Sequence, residues 1–253
     1  MTKKKRVLIL GGTSDAVDLA IQAAAISGME VIASLAGRTR QPLISFEKTR
    51  IGNFGGIAGL TEYLRQHSID VLIDATHPFA AQISFNAVAA ATAVGIPQVM
   101  LLRPAWKPAS ANHWIEVNSH AAAAAILPTL AQRVFLTVGR QELHVYAYLQ
   151  DLWFLMRMIE PPSPHAPLPP GTVLLERGPF SLDEERSLLQ QYEIRAIVSK
   201  NSGGDATYAK IIAARELSIP VVMVQRPPVP CCEQVADVES ALCWLKRVLE
   251  LND

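Results

Sequence analysis

Lys200-Asn201-Ser202-Gly203-Gly204 put a cation, two polar side chains and two glycines in one turn, between an apolar run (Ile194 to Val198) and a helix-like run (Thr207 to Leu217). Backbone amides left uncovered by glycine, beside an ammonium group, suit a carboxylate or a phosphate. Two further strand ends have similar chemistry, Thr137-Val138-Gly139-Arg140 and Arg177-Gly178-Pro179-Phe180. In a parallel sheet all three would converge on one edge. Arg140, Arg177, Lys200, Asn201, Ser202 and the amides of Gly203 and Gly204 would then line an anion pocket. A helix start capped by Ser202 or Asp205 explains the same turn without any ligand. The G-x-x-x-x-G-K-[ST] arrangement is missing, so a P-loop ATPase is not supported.

A second glycine turn, Gly11-Gly12-Thr13-Ser14-Asp15-Ala16, follows the apolar run Val7 to Leu10. This is where a dinucleotide's pyrophosphate meets backbone amides and the positive end of a helix. The turn is shorter than a full G-x-G-x-x-G, and an ordinary α/β turn also has glycines here. The second strand ends in Ser34-Leu35-Ala36-Gly37-Arg38-Thr39-Arg40, without the acidic residue that holds the ribose hydroxyls of NAD. Arg38, helped by Ser34, Thr39 or Arg40, can bind a 2′-phosphate, which favours NADPH; a solvated basic loop is the alternative. The run Asp74-Ala75-Thr76-His77-Pro78-Phe79-Ala80 closes another strand, where Thr76 and His77 can line a nicotinamide or His77 can give a proton. A lone histidine serves equally well as a structural group. Gly52 to Gly56 form a tight turn that would bring Gly55 and Gly56 beside the cofactor.

These turns need a frame that collects strand ends. Apolar runs alternate with helical patterns: Arg6 to Leu10, Ala16 to Ile26, Glu30 to Leu35, Leu60 to Gln66, Val71 to Asp74, Gln82 to Ala93 and Gln98 to Leu102. Such alternation predicts parallel strands with right-handed helical crossovers. Arg103-Pro104 and Lys107-Pro108 interrupt it, and from Trp114 it resumes to Leu249. The expected fold is α/β, with two Rossmann-like doubly wound domains and mainly parallel sheets. Residues 1–104 would bind the nucleotide and residues 105–253 the substrate. Pro161 to Gly171 form a proline-rich connection inside the second domain.

Composition removes several classes. The 23 basic residues balance the 23 acidic ones, which argues against a nucleic-acid partner. Lys3-Lys4-Lys5-Arg6 resemble a signal-peptide start, but the apolar stretch behind them breaks at Gly11-Gly12. No run approaches the roughly 18 apolar residues of a membrane span. The three cysteines, Cys231, Cys232 and Cys243, have no metal-ligand spacing and read as free thiols of a cytoplasmic protein, with packing as the role of the Cys231-Cys232 pair. No metal is expected, and no tyrosine has a lysine four positions on, as a short-chain dehydrogenase would require.

Gly11-Gly12-Thr13 with Asp15-Ala16, Ala36-Gly37-Arg38, Gly52 to Gly59, Asp74 to Ala80, Arg103-Pro104 with Trp106, Arg177 to Phe180, and Lys200 to Gly204 running into Ala213 to Leu217 together resemble the precorrin-6A reductase family. The match runs in order along nearly the whole chain. The resemblance implies a cytoplasmic enzyme of cobalamin biosynthesis that reduces a double bond of the precorrin macrocycle with a reduced nicotinamide cofactor. It implies NADPH held by Gly11, Gly12, Thr13, Ser14, Asp15, Ser34, Gly37, Arg38, Gly55, Gly56, Ala75, Thr76 and His77. A tetrapyrrole would be held by Thr137, Gly139, Arg140, Arg177, Gly178 and Lys200 to Gly204, with Lys200, His77 or solvent as proton source. Relatives that reduce cobalt-precorrin leave the metal state open, so a cobalt-precorrin-6A reductase using NADH is the alternative within the family. A nonenzymatic NADP-sensing module is the rival from another class, and it would not concentrate Arg, Lys, Ser and Gly at the second domain's strand ends.

Overall fold

The computed structural model describes residues 4–36, 48–109 and 113–250. In chain order the elements are β1 (Lys5–Leu10), α1 (Ser14–Ala24), β2 (Met29–Leu35), β3 (Thr49–Ile51), α2 (Gly56–Gln66), β4 (Val71–Asp74), α3 (Ala81–Val94) and β5 (Gln98–Leu101). There follow β6 (Trp114–Val117), α4 (His120–Leu130), β7 (Arg133–Thr137), a 3-10 helix (Arg140–Tyr146), β8 (Trp153–Met158) and β9 (Gly171–Leu175). The last are α5 (Leu182–Gln191), β10 (Ala196–Lys200), α6 (Ala209–Glu216), β11 (Val221–Val224), β12 (Gln234–Val235) and α7 (Val238–Val248).

Two sheets of six parallel strands result, one ordered β12-β5-β4-β1-β2-β3 and the other β6-β11-β10-β7-β8-β9. The α/β class with two doubly wound parallel sheets is therefore as the sequence predicts. In each sheet the chain winds outward in one direction from a central strand, β1 or β7, and then in the other from β4 or β10. The places where the order reverses, β1/β4 and β7/β10, are the switch points at which open α/β sheets bind ligands.

Both faces of the first sheet are buried, which explains strands such as Val71–Asp74 with no exposed residue. On one face Val7, Ile9, Ile73 and Val99 meet Leu19, Ala20 and Ala23 of α1 and Ala241, Trp244 and Leu245 of α7. On the other, Leu8, Leu10 and Leu72 meet Leu60 and Leu64 of α2 and Ala87 and Ala90 of α3. In the second sheet Phe135, Leu155 and Ile197 pack on Leu189 of α5 and Ile211 and Ala214 of α6. Alternation along β7 turns Val134 and Leu136 to the opposite face.

The domain boundaries need one correction. The compact units are Met1–Pro104 with Pro227–Asp253, and Ala105–Arg226, so the end of the chain returns to the first unit instead of completing the second. The reason lies in pairing: Gln234 and Val235 add a strand beside Met100 and Leu101, and α7 covers α1. A two-residue strand has too little pattern to be read, so Val235 to Leu249 looks like one helical stretch of the second domain.

Candidate functional site

In the first unit, Leu10 pairs with Asp74, so the loops after β1 and β4 leave the sheet side by side. Thr13 joins them: its hydroxyl donates to the Ala75 carbonyl at 3.0 Å and accepts from the Ala16 amide at 3.1 Å as the cap of α1. Gly11 is glycine because of packing, since a Cβ there would lie 3.3 Å from the Ala16 Cβ. Gly12 is glycine because of backbone, with φ +125° and no atom within 4 Å of where a Cβ would stand. This is an open, exposed cradle at a helix N-terminus, and it fits a dinucleotide's phosphates.

The other cofactor-binding candidates divide. Ser14 is exposed, with its hydroxyl 3.4 Å from the Asp15 carboxylate. Asp15 accepts from Arg103 at 2.9 Å, which offsets a negative charge in the first turn of α1 where a phosphate would dock. Ser34 is buried and its carbonyl takes the Gly11 amide at 2.9 Å. Gly37 and Arg38 lie outside the described residues. Gly55, at φ +84°, and Gly56, at φ +79°, start α2 with open space where a side chain would be, and Asn53 Oδ1 accepts from the Gly55 amide. Arg50, unnoticed in the sequence, donates to the Gly52 and Asn53 carbonyls and lies 3.7 Å from the centre of the Phe54 ring, fixing this turn.

Asp74 is buried and accepts on Oδ1 from the Thr76 amide and hydroxyl, at 3.0 and 2.6 Å, so the Thr76 hydroxyl is already engaged. His77 Nδ1 accepts from the Phe79 amide at 3.2 Å, which puts the neutral ring's proton on Nε2. Protonating Nδ1 would break that bond, so His77 suits donation of a hydrogen bond better than release of a proton. It does not cap α3, whose capping residue is Ala80.

In the second unit, Ser199 pairs with Thr137, which sets the Lys200 turn beside Val138-Gly139-Arg140 at the switch point. The strand extends through Lys200, because Lys200 still pairs with Val224. The capping alternative for this turn does not hold: α6 starts only at Ala209, after Tyr208, and has no side-chain cap. The turn is instead held from behind. Asn201, 3% exposed, accepts from the Trp106 amide at 2.8 Å and donates to the Trp106 carbonyl at 3.1 Å. The Trp106 indole donates to the Gly204 carbonyl at 2.8 Å, and Arg226 donates to the Asn201 and Ser202 carbonyls at 2.8 and 3.0 Å.

Because C=O and N–H are antiparallel in a trans peptide, tying the Ser202 carbonyl to Arg226 turns the Gly203 amide the opposite way. Gly203 is buried, with φ +69°, and its amide bonds no other described residue. A buried backbone amide without a partner is rare unless a ligand or water supplies one. Lys200 Nζ lies 4.0 Å from the place of a Cβ on Gly139 and so leans over that glycine.

The remaining anion-pocket residues are less concentrated than expected. The Thr137 hydroxyl is spent on the Val198 carbonyl at 3.0 Å, and Arg140 donates to the Pro161 carbonyl at 3.2 Å. Arg177 and Gly178 follow β9, two strands from β7 and three from β10, hence about 10 and 14 Å away at ordinary strand spacing. That segment rests on Arg157, which is buried, forms paired bonds to Glu185 at 2.8 and 2.9 Å, reaches Glu176 at 3.3 Å and lies 3.9 Å from the Phe180 ring centre. Lys210 is buried below Trp106 and donates to the Thr207 carbonyl at 2.8 Å; burial lowers its pKa to about 8 against the attraction of Glu185.

The sequence reading assigns no role to Trp106, Arg226 or Arg103. The available signal was position, since Arg103 and Arg226 each precede a proline and Trp106 lies between Pro104 and Pro108. The cysteine pair is more accessible than a packing role implies: Cys231 is exposed and Cys232 half-buried, its thiol pushed up by burial. Among the described residues no cluster of His, Cys, Asp and Glu could hold a metal ion, and no helix is long and apolar enough to cross a membrane.

Residues 6–246 match the family model described as precorrin-6x reductase CbiJ/CobK. A precorrin-6A reductase of Rhodococcus erythropolis is 50% identical over 95% of this chain and 97% of its own. One of Rhodobacter capsulatus is 42% identical over 95% of each chain. The solved structure of a CobK precorrin-6A reductase superposes with a TM-score of 0.91 at 41% identity, covering 96% of this chain and 97% of that one.

Proposed function

The chain belongs to the precorrin-6x reductase family, CbiJ/CobK, and is an oxidoreductase; from that membership we propose that it reduces one double bond of metal-free precorrin-6A with NADPH, as a cytoplasmic step of cobalamin biosynthesis. The observation that carries the substrate side is the buried Gly203 amide, which bonds no other described residue, in the turn that follows Lys200. Precorrin macrocycles carry several carboxylate side chains, and an amide fixed in advance, with an ammonium group in the same turn, binds carboxylate with little reorganisation. Trp106 and Arg226 provide that fixity by holding three carbonyls of the turn. Arg177, about 14 Å along the sheet edge from β10, suits a second carboxylate of a large ring better than the same one.

On the cofactor side, Gly11, Gly12 and the start of α1 would hold the pyrophosphate of a nicotinamide dinucleotide, whose reduced ring supplies the hydride. Arg103 offsets Asp15 at that point. The strand β2 ends in Ser34-Leu35 without a carboxylate, and Arg38 follows, which favours NADPH over NADH.

Anaerobic mixing with precorrin-6A and NADPH tests the proposal. Cofactor absorbance should fall while the tetrapyrrole spectrum shifts, and cobalt-precorrin-6A should react more slowly. A folded protein that changes neither spectrum refutes the reading. Arg38→Ala should raise KM for NADPH while leaving NADH almost unaffected; equal loss for both would remove the 2′-phosphate contact.

A further inference from the structure

His120 opens α4 at the carboxyl edge of the second sheet, one residue after the capping Ser119. Its Nδ1 lies 2.9 Å from the hydroxyl of Tyr146, the last residue of the 3-10 helix that follows β7. The two rings meet edge to face, with centroids 6.0 Å apart. Tyr146 is fully buried and also packs against Phe154, so the phenol cannot swing away to another partner. Nε2 makes no hydrogen bond to a described residue and is not sealed from solvent. One nitrogen is thus fixed by a buried group while the other is open, which is the arrangement of an oriented general acid.

We propose that His120 is the catalytic acid of the reduction, releasing the Nε2 proton to the macrocycle carbon next to the one that takes the hydride, with Tyr146 as its positioning residue. This rests on the precorrin reading above. The balance is simple: the carbon–carbon double bond gains a hydride and a proton, the imidazolium becomes neutral imidazole, and solvent reprotonates Nε2. The Tyr146 oxygen accepts from Nδ1–H while the ring is charged, so the ring stays in place through the cycle.

The groups that act on this ring are Glu142 and His144 of the 3-10 helix and Lys200 of β10. Burial holds the His120 pKa below its ordinary value; Glu142 raises it, and Lys200 and His144 lower it further. A polycarboxylate bound at Lys200 offsets that cation and favours the charged ring. His120 therefore takes up its proton when substrate binds and gives it up as the hydride adds negative charge to the macrocycle. His77 lacks this property, because its Nδ1 is committed to the Phe79 amide.

The experiment compares wild type with His120→Asn and Tyr146→Phe under anaerobic turnover of precorrin-6A across pH. For His120→Asn, kcat should fall about 100-fold with KM changed less than about threefold. The wild-type decline of kcat with rising pH should vanish in His120→Asn and move in Tyr146→Phe, which a purely structural role would not produce. A folded His120→Asn protein that keeps its kcat and its pH decline overturns the proposal. Imidazole nitrogen NMR of the wild type gives the answer even if the variant fails to fold: added precorrin-6A should raise the His120 pKa, and an unchanged titration overturns the assignment. A wild type that turns over no precorrin-6A refutes the substrate reading itself, whereas turnover that ignores His120 refutes only this proposal.

Discussion

Asn201→Ala should loosen the anion turn and destabilise the second unit together. The side chain is 3% exposed and makes two hydrogen bonds to one residue, accepting from the Trp106 amide at 2.8 Å and donating to its carbonyl at 3.1 Å. Truncation deletes both and leaves two backbone groups without partners in a half-buried position. A typical bond contributes about 1 kcal/mol net and an unsatisfied buried group costs about 1–3 kcal/mol, so the loss should total about 2–4 kcal/mol. For a chain of this length that lowers the melting temperature by about 5–10 °C. Scanning calorimetry reads the stability term. The functional term appears as a raised KM for precorrin-6A, because the Gly204 carbonyl depends on the same Trp106 through its indole. Asn201→Asp keeps the acceptor for the Trp106 amide but turns a carboxylate toward the Trp106 carbonyl and adds negative charge to the anion turn. It should raise KM more than Asn201→Ala for a similar loss of stability. An Asn201→Ala protein with unchanged melting temperature and unchanged KM would refute the claim that this side chain holds the turn.

Lys200→Ala should raise KM for precorrin-6A far more than it lowers kcat, as expected for a lost carboxylate anchor; a collapse of kcat at constant KM would make Lys200 the proton source. Lys210 gives a stability signature in alkali. With its folded pKa lowered to about 8, the unfolded chain binds more protons than the folded one above that pH, so stability should rise between about pH 8 and 10. Denaturant titrations should show that rise in wild type and its loss in Lys210→Met; identical slopes would mean that Lys210 is not buried as a cation. Tyr146, whose pKa burial raises, works in the opposite sense above the ordinary tyrosine range and leaves this window clear. Gly59→Ala should destabilise the first unit by about 1–3 kcal/mol, despite alanine's better helix propensity, because the new Cβ would fall 1.7 Å from the Phe54 carbonyl oxygen. A melting temperature equal to or above wild type would contradict it.

Strands such as Val71–Asp74 and Val221–Val224 are legible residue by residue, because strands buried on both faces read as apolar runs ended by glycine, proline or polar residues. The short β3 and β12 escape, since two or three residues contain no period. That gap also explains the domain correction: a strand whose sheet is chosen by partners more than 100 residues away leaves no local mark, and β12 adds to Met100 and Leu101 through backbone bonds that any side chain allows.

The same division governs the site. Local chemistry is written in the chain: two glycine turns after strands, an ammonium beside one of them, and no carboxylate at the end of β2 are what make an anion and a phosphorylated cofactor the proposed guests. Which of these polar groups remain available for a guest is a tertiary decision. Thr13 and Thr137 look like ligands in sequence, but each hydroxyl donates to a neighbouring strand or loop once the sheet forms. Trp106, Arg226, His120 and Tyr146 look like ordinary residues, and distant elements bring them to the turn or to each other. Hydrogen bonds satisfy buried polar groups wherever partners meet in space, so sequence can list the donors and acceptors, but only the fold settles which are already paired.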